Sequence, residues 1–124
     1  MTLSVCVFCG SRNGQGKHWL AHAERFGTAL ATRGMRLVYG GGQVGLMGAV
    51  ANAALKCNGE VVGVIPEFLH KREVVHSALT ELLVVDDLLE RKAWMIEYAD
   101  AFVALPGGIG TYDELLEVIA WRQL

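Results

Sequence analysis

The sequence predicts an α/β fold, a Rossmann-like doubly wound parallel sheet, and three observations lead there. Short valine-rich apolar runs recur along the chain, helical patterns alternate with them, and three glycine-bearing segments each follow a run. At 124 residues the chain suffices for one domain with a core of its own, spanning 1–124, and is too short for two. Residues are 52% hydrophobic and 19% charged, with a mean hydropathy of +0.33. That balance fits a sheet buried on both faces and argues against disorder.

The apolar runs lie at Leu3–Phe8, Arg36–Tyr39, Glu60–Ile65, Leu82–Val85 and Ala101–Leu105. They are nearly continuous rather than alternating, as parallel strands covered on both sides are. Cys6 in the first run and Cys9 just past it form a C-x-x-C, but the period of a strand sends them to opposite faces, which reads as buried thiols rather than redox or metal chemistry. Together with Cys57 they fit no disulfide framework, so a reducing, cytoplasmic setting is expected. The first helical pattern, His18–Arg33, is closed by Gly34; the second, Leu46–Cys57, by Asn58-Gly59. A loop with one helical turn joins the third and fourth runs. The pattern Leu88–Ala99 is entered through Asp86-Asp87, and a last helix opens at Thr111. It stops at Leu124 without Gly, Asn or Pro, so a further terminal piece is expected.

In such a sheet ligands bind beyond the carboxyl ends of the strands, and "CGSRNG" (9–14), "GGGQVGLMG" (40–48) and "PGGIGT" (106–111) all emerge there. A glycine turn feeding a helix lets a ligand approach the backbone and offers unpaired N–H groups, which makes phosphate the natural guest. Gly40, Gly42 and Gly45 also satisfy G-x-G-x-x-G, with Glu67 near where a ribose-binding acid would stand, but the match follows the second strand instead of the first. No Gly-Lys-[Ser/Thr] occurs, which excludes a Walker loop.

Glu114 follows Thr111 by three residues, and T-x-x-E is a capping box, yet the same carboxylate would stand at the ligand edge. Glu90-Arg91-Lys92 reads by itself as a solvated face, but the preceding strand delivers this first turn to the carboxyl edge, and Arg91 shares a partly apolar helix face with Met95 and Tyr98, so an anion suits it better than bulk water. His18 and His22 are four apart with no third ligand near, so no metal is expected. His76 reads as a surface residue; Trp94, Tyr112 and Trp121 read as core or interface aromatics. The net charge of −2 supplies no basic patch for nucleic acid or an anionic membrane. No leader peptide or membrane span is apparent.

"PGGIGTYDE" matches the P-G-G-x-G-T-x-x-E signature of the LOG (Lonely Guy) family, and "GGGQVGLMG", "ERKAWM", "CGSRNG" and "VIPEFL" resemble its other blocks in the same order. Members are cytokinin-activating phosphoribohydrolases, many long labelled possible lysine decarboxylases. The resemblance implies hydrolysis of the N-glycosidic bond of an N6-substituted AMP, or of AMP, to free base and ribose 5-phosphate, with no cofactor. It further implies Arg91 and Glu114 as the catalytic pair, and Gly107, Gly108, Ile109, Gly110 and Thr111 as the phosphate and ribose cradle. Lys92 and Glu67 are implied as further contacts. A homodimer or higher homo-oligomer whose subunits pack near the site is implied too, as are a C-terminal strand and helices that this chain lacks. "DDLL" before Glu90 departs from the Met-His of many plant members, which leaves the base preference open. Of the four lysines, Lys17, Lys56, Lys71 and Lys92, only the last is near the expected site, so pyridoxal-phosphate decarboxylation is not expected. A non-catalytic nucleotide carrier and a dinucleotide-dependent oxidoreductase are the readings from other classes.

Overall fold

The computed structural model describes residues 2–14, 18–72 and 75–124. The elements are β1 (Ser4–Phe8), α1 (His18–Thr32), β2 (Arg36–Tyr39), α2 (Gly45–Lys56), β3 (Val61–Pro66), α3 (Glu67–His70), β4 (Glu81–Val85), α4 (Leu88–Tyr98), β5 (Ala101–Ala104) and α5 (Ile109–Gln123). The five strands pair in parallel in the order β4-β3-β2-β1-β5. Every expected run is a strand, because a valine-rich segment with two apolar faces is stable only between two helical layers.

Alternate strand residues supply the two layers. Val5, Val7, Leu37, Tyr39 and Val61 pack with Leu30 of α1 and Leu46 and Val50 of α2. Cys6, Phe8, Val38, Val62 and Val64 pack on the other face with Met95 of α4 and Val118 of α5. Cys9 belongs to the first cluster and Cys6 to the second, as the strand period requires. Both thiols are buried and unpaired. α1 and α2 touch at backbone distance, since a Cβ on Gly27 would collide with the Val50 carbonyl.

The helix ends follow the expected chemistry in part. Gly34 (φ +70°) ends α1, and Asn58 (φ +60°) takes the left-handed position after α2, its N–H reaching the Leu55 carbonyl at 3.0 Å. Asp87 caps α4: its Oδ1 accepts from the Glu90 N–H at 2.8 Å, while Glu90 Oε2 accepts from the Asp86 N–H at 3.1 Å. The expected box at Thr111 and Glu114 does not form. α5 starts at Ile109 with Gly108 as its N-cap, so Thr111 lies inside the first turn and Glu114 in the second.

His76 is buried, contrary to its surface reading. Its Nδ1 accepts from the Ala78 N–H at 3.1 Å, so Nε2 carries the proton and donates to Asn52 Oδ1 at 2.6 Å. Its own N–H reaches the Gly41 carbonyl at 3.0 Å, next to an antiparallel bridge between Gly42 and Val75. Burial lowers its pKa from 6.5. The unfolded chain therefore takes up the proton first as pH falls, and His76 contributes stability above pH 6.5 that is lost below it. Denaturation midpoints measured from pH 8 to 5 are expected to fall more steeply in the wild type than in His76→Gln. Equal slopes would show that His76 charges without cost.

The strand order reverses beside β1. The chain leaves β1 toward α1 on one face and leaves β5 toward α5 on the other, which opens a crevice at the carboxyl ends of those two strands.

Candidate active site

A cleft of about 270 Å³ occupies that crevice. The β1 loop supplies Cys9, Gly10 and Ser11; α2 supplies Met47; α4 supplies Leu88, Arg91 and Lys92; α5 supplies Gly108, Gly110, Thr111, Asp113 and Glu114. Two glycine loops meet at its floor, where the Gly10 N–H donates to the Pro106 carbonyl at 3.0 Å. Gly107 permits this approach, because a Cβ there would collide with Thr111 Oγ1 and lie 2.8 Å from the Gly10 nitrogen.

The N-termini of α2 and α5 both face this edge, and they differ. At α2 the Leu46 and Met47 N–H groups already donate to the Arg12 and Gly10 carbonyls, at 3.2 and 3.3 Å. That terminus is sealed by the first loop, and Gly45 (φ +68°) is so close to Ser11 that nothing fits between them. At α5 the Thr111 and Tyr112 N–H groups turn back on the Gly108 carbonyl, at 3.1 and 3.3 Å. The Ile109 and Gly110 N–H groups have no backbone acceptor among the described residues, and the space beside Gly108 and Gly110 is open. α5, not the G-x-G-x-x-G segment, is thus the terminus whose first N–H groups are free among the described residues, the arrangement that favours an anion.

Arg91 is buried although charged. Its Nε donates to the Val64 carbonyl at 2.9 Å and its Nη2 to the Gly40 carbonyl at 2.8 Å. The guanidinium is pinned to the ends of β2 and β3 along one edge, with Nη1 left over. Lys92, one residue on, points to α5 instead: Nζ meets Asp113 Oδ2 at 3.0 Å and Glu117 Oε1 at 2.9 Å. These bonds raise the lysine's pKa, Glu117 contributing most, and the Lys92 bond holds the Glu117 carboxyl below its ordinary range. Trp121 Nε1 also donates to Glu117, at 2.9 Å.

Glu114 is half-buried between these groups. Burial pushes its pKa up to about 7; Arg91 pulls the other way, and Asp113 adds to the rise. The Cys9 pKa is pushed up to about 12, by burial first and the Glu114 charge second, which favours the protonated thiol on the cleft wall.

The structure therefore gathers Arg91, Lys92, Gly108, Gly110, Thr111 and Glu114 around one cleft, with Gly107 beneath its floor. It does not bring Glu67 there. That residue opens α3 and lines a separate groove with Phe68, Lys71, Arg72 and Asp86. Ile109 turns its side chain to solvent, 85% exposed. Asp113 was not singled out from the sequence; the signal was available in its opposite charge to Lys92, but which helices face each other is a tertiary fact. Trp94, Tyr112 and Trp121 lie at the surface and not in the core. Among the described residues no group of three or more His, Cys, Asp or Glu side chains could hold a metal ion. Lys56 on α2 and Lys71 just past α3 do not line the cleft, and Lys17 lies outside the described residues.

A family model described as "possible lysine decarboxylase" matches residues 47–124. The cytokinin riboside 5′-monophosphate phosphoribohydrolase of Rhodococcoides fascians is 55% identical over 98% of this chain and 62% of its own length. The Arabidopsis thaliana protein of the same name, LOG5, is 48% identical over 97% of this chain and 53% of its own. The chain thus spans about half to three fifths of the length of these relatives. In fold it is similar to the molybdenum cofactor carrier protein of Chlamydomonas reinhardtii, with a TM-score of 0.84 at 22% identity over 98% of this chain and 73% of that one. The match over more than half the chain includes Arg91, Lys92 and the whole segment from Pro106 to Glu114, and by it this chain belongs to the LOG family, the one described as possible lysine decarboxylase.

Proposed function

We propose that this protein is a phosphoribohydrolase that cleaves the N-glycosidic bond of N6-substituted adenosine 5′-monophosphates, or of AMP, to the free base and ribose 5-phosphate. The observation that carries this reading is the Glu114 carboxyl, with its pKa near 7, in one cleft with a pinned guanidinium and an open helix N-terminus. The names of the relatives point to the same chemistry.

The 5′-phosphate sits on the Ile109 and Gly110 N–H groups and Thr111, where the α5 dipole favours negative charge. Ribose then lies against Glu114. As the C1′–N bond breaks, its electron pair leaves with the base and positive charge builds on the ribose. The ionised Glu114 stabilises that charge and takes a proton from the water that adds to C1′, and a proton returned to the purine nitrogen completes the free base and restores the carboxylate. Arg91, fixed by its Nε–Nη2 edge, offers its remaining N–H groups to the phosphate or to the departing purine. Lys92 ties the helix bearing Arg91 to the helix bearing Glu114 and lies within reach of the phosphate. No metal or organic cofactor is needed for these steps.

The decarboxylase label fits the site poorly. A Schiff-base lysine must become a neutral amine, and Lys92 is held as an ammonium by two carboxylates. A dinucleotide site on the second glycine loop is opposed by the sealed α2 terminus. Tyr112, Leu116 and Ile119 form an exposed apolar stripe on α5, which supports a homodimer packed beside the cleft. Among the described residues no helix is long and apolar enough to cross a membrane. Unpaired Cys6 and Cys9 support a cytoplasmic location.

Incubation with isopentenyl-AMP and with AMP, followed by chromatography, is expected to release free base and ribose 5-phosphate. Nucleotide binding without release would make the protein a carrier.

A further inference from the structure

The structure assigns Gly40 the part of a positioning residue for Arg91, a role that rests on the phosphoribohydrolase reading. Three facts converge on it. The Gly40 carbonyl accepts from Arg91 Nη2 at 2.8 Å. The Val64 carbonyl accepts from Nε at 2.9 Å, so the planar group lies across the ends of β2 and β3. Finally, the volume that a side chain at position 40 would fill is taken by the guanidinium itself: a Cβ would collide with Nη2 and stand 3.2 Å from Cζ.

The adjoining glycines answer to different needs. Gly41 has φ +83° and Gly45 has φ +68°, conformations that L side chains rarely adopt, and a Cβ on Gly45 would strike the Ser11 backbone. Gly40 carries no such backbone requirement, and its other close neighbour is the flexible end of Met47, 3.3 Å away. Alanine at position 40 therefore meets one substantial obstacle, the Arg91 head group. The second glycine loop thereby serves the cleft without touching a ligand: it fixes the plane of the cation, and with it the direction of the N–H groups that remain. Such fixation counts in the transition state, where an error of about 1 Å costs up to about 100-fold.

The test is a cycle of Gly40→Ala, Arg91→Ala and the double variant, read by turnover of isopentenyl-AMP and AMP, by calorimetric AMP binding and by thermal melting. Gly40→Ala is expected to lower kcat/KM by about 10- to 100-fold, with AMP binding weakened as well. The double variant is expected to match Arg91→Ala within about twofold, because the alanine acts only through the side chain it displaces. The Glu114 limb of the pH profile should also move up in Gly40→Ala, since a displaced guanidinium no longer pulls that pKa down. Wild-type kinetics in Gly40→Ala, or a loss of equal factor on top of Arg91→Ala, overturns the assignment. If Gly40→Ala does not fold, a folded double variant supports the clash with Arg91, and an unfolded one refutes it. Should the wild type release no base, the function reading fails alone. AMP affinity still closes the cycle: weakening by Gly40→Ala only where Arg91 is present supports the positioning role, and weakening in both backgrounds or in neither overturns it.

Discussion

Glu114→Gln is expected to abolish base release, keep AMP binding within a few-fold of wild type, and make the protein more stable at neutral and alkaline pH. The first two effects follow from the carboxylate's place beside the open α5 terminus. Glutamine preserves shape but can neither take a proton from water nor balance charge on the ribose, a loss of about 10²–10⁴-fold. The third follows from the sign of the pKa shift. Between pH 4.5 and about 7 the folded protein keeps a proton on Glu114 that the unfolded chain has released. Stability from this group therefore falls as pH rises through that window, and glutamine has no such dependence. Melting curves at pH 5 and pH 8 should show the variant ahead of wild type by more at pH 8. Undiminished turnover would remove Glu114 from the chemistry, and parallel pH dependence would show that its carboxyl is not destabilised by folding.

Arg91→Ala is expected to damage both turnover and stability. It removes the cation facing the cleft and leaves the Gly40 and Val64 carbonyls without their donors, at a cost of about 1–3 kcal/mol for each group that water does not reach. It also deletes the charge that holds the Glu114 pKa down. Weaker AMP binding by calorimetry, a lower denaturation midpoint and a pH profile moved to the alkaline side should appear together. A variant that binds AMP as well as wild type would place the phosphate away from this guanidinium. A profile that stays in place would show that Arg91 and Glu114 do not communicate.

The strand order was not written in the sequence, but the strands were, because valine-rich runs bounded by glycine leave few alternatives. Arg91 was legible for a related reason: its spacing with Met95 and Tyr98 placed it on the buried face of α4, and both Arg91 and Met95 are buried. The two capping patterns show where local reading runs out. Thr111 to Glu114 and Asp87 to Glu90 have equal claim as letters, yet only the second forms, because Gly108 adopts the extended N-cap conformation and starts α5 earlier. His76 was misread, and Glu67 stands outside the cleft, for one tertiary reason. Both follow β3, and whether that connection carries a side chain into solvent or against Asn52 depends on how it lies across the loop after β2. G-x-G-x-x-G likewise says nothing about Ser11, the neighbour that makes Gly45 necessary.

The sealed α2 terminus also divides the cleft by mobility. Carbonyls of the β1 loop are tied to α2 through Leu46 and Met47, so backbone hydrogen bonds hold that wall in place. The opposite wall begins at Gly108 and Gly110, with open space beside both and amides awaiting a partner. Adjustment to a substrate therefore belongs to the start of α5. In hydrogen exchange the Leu46 and Met47 amides should be slow throughout, while those of Ile109 and Gly110 exchange fast until an anion slows them. Because Lys92 ties α4 to Asp113 and Glu117 on either side of Glu114, the amides ahead of Glu114 are what is left to adjust when, in the proposed reaction, a phosphate is seated.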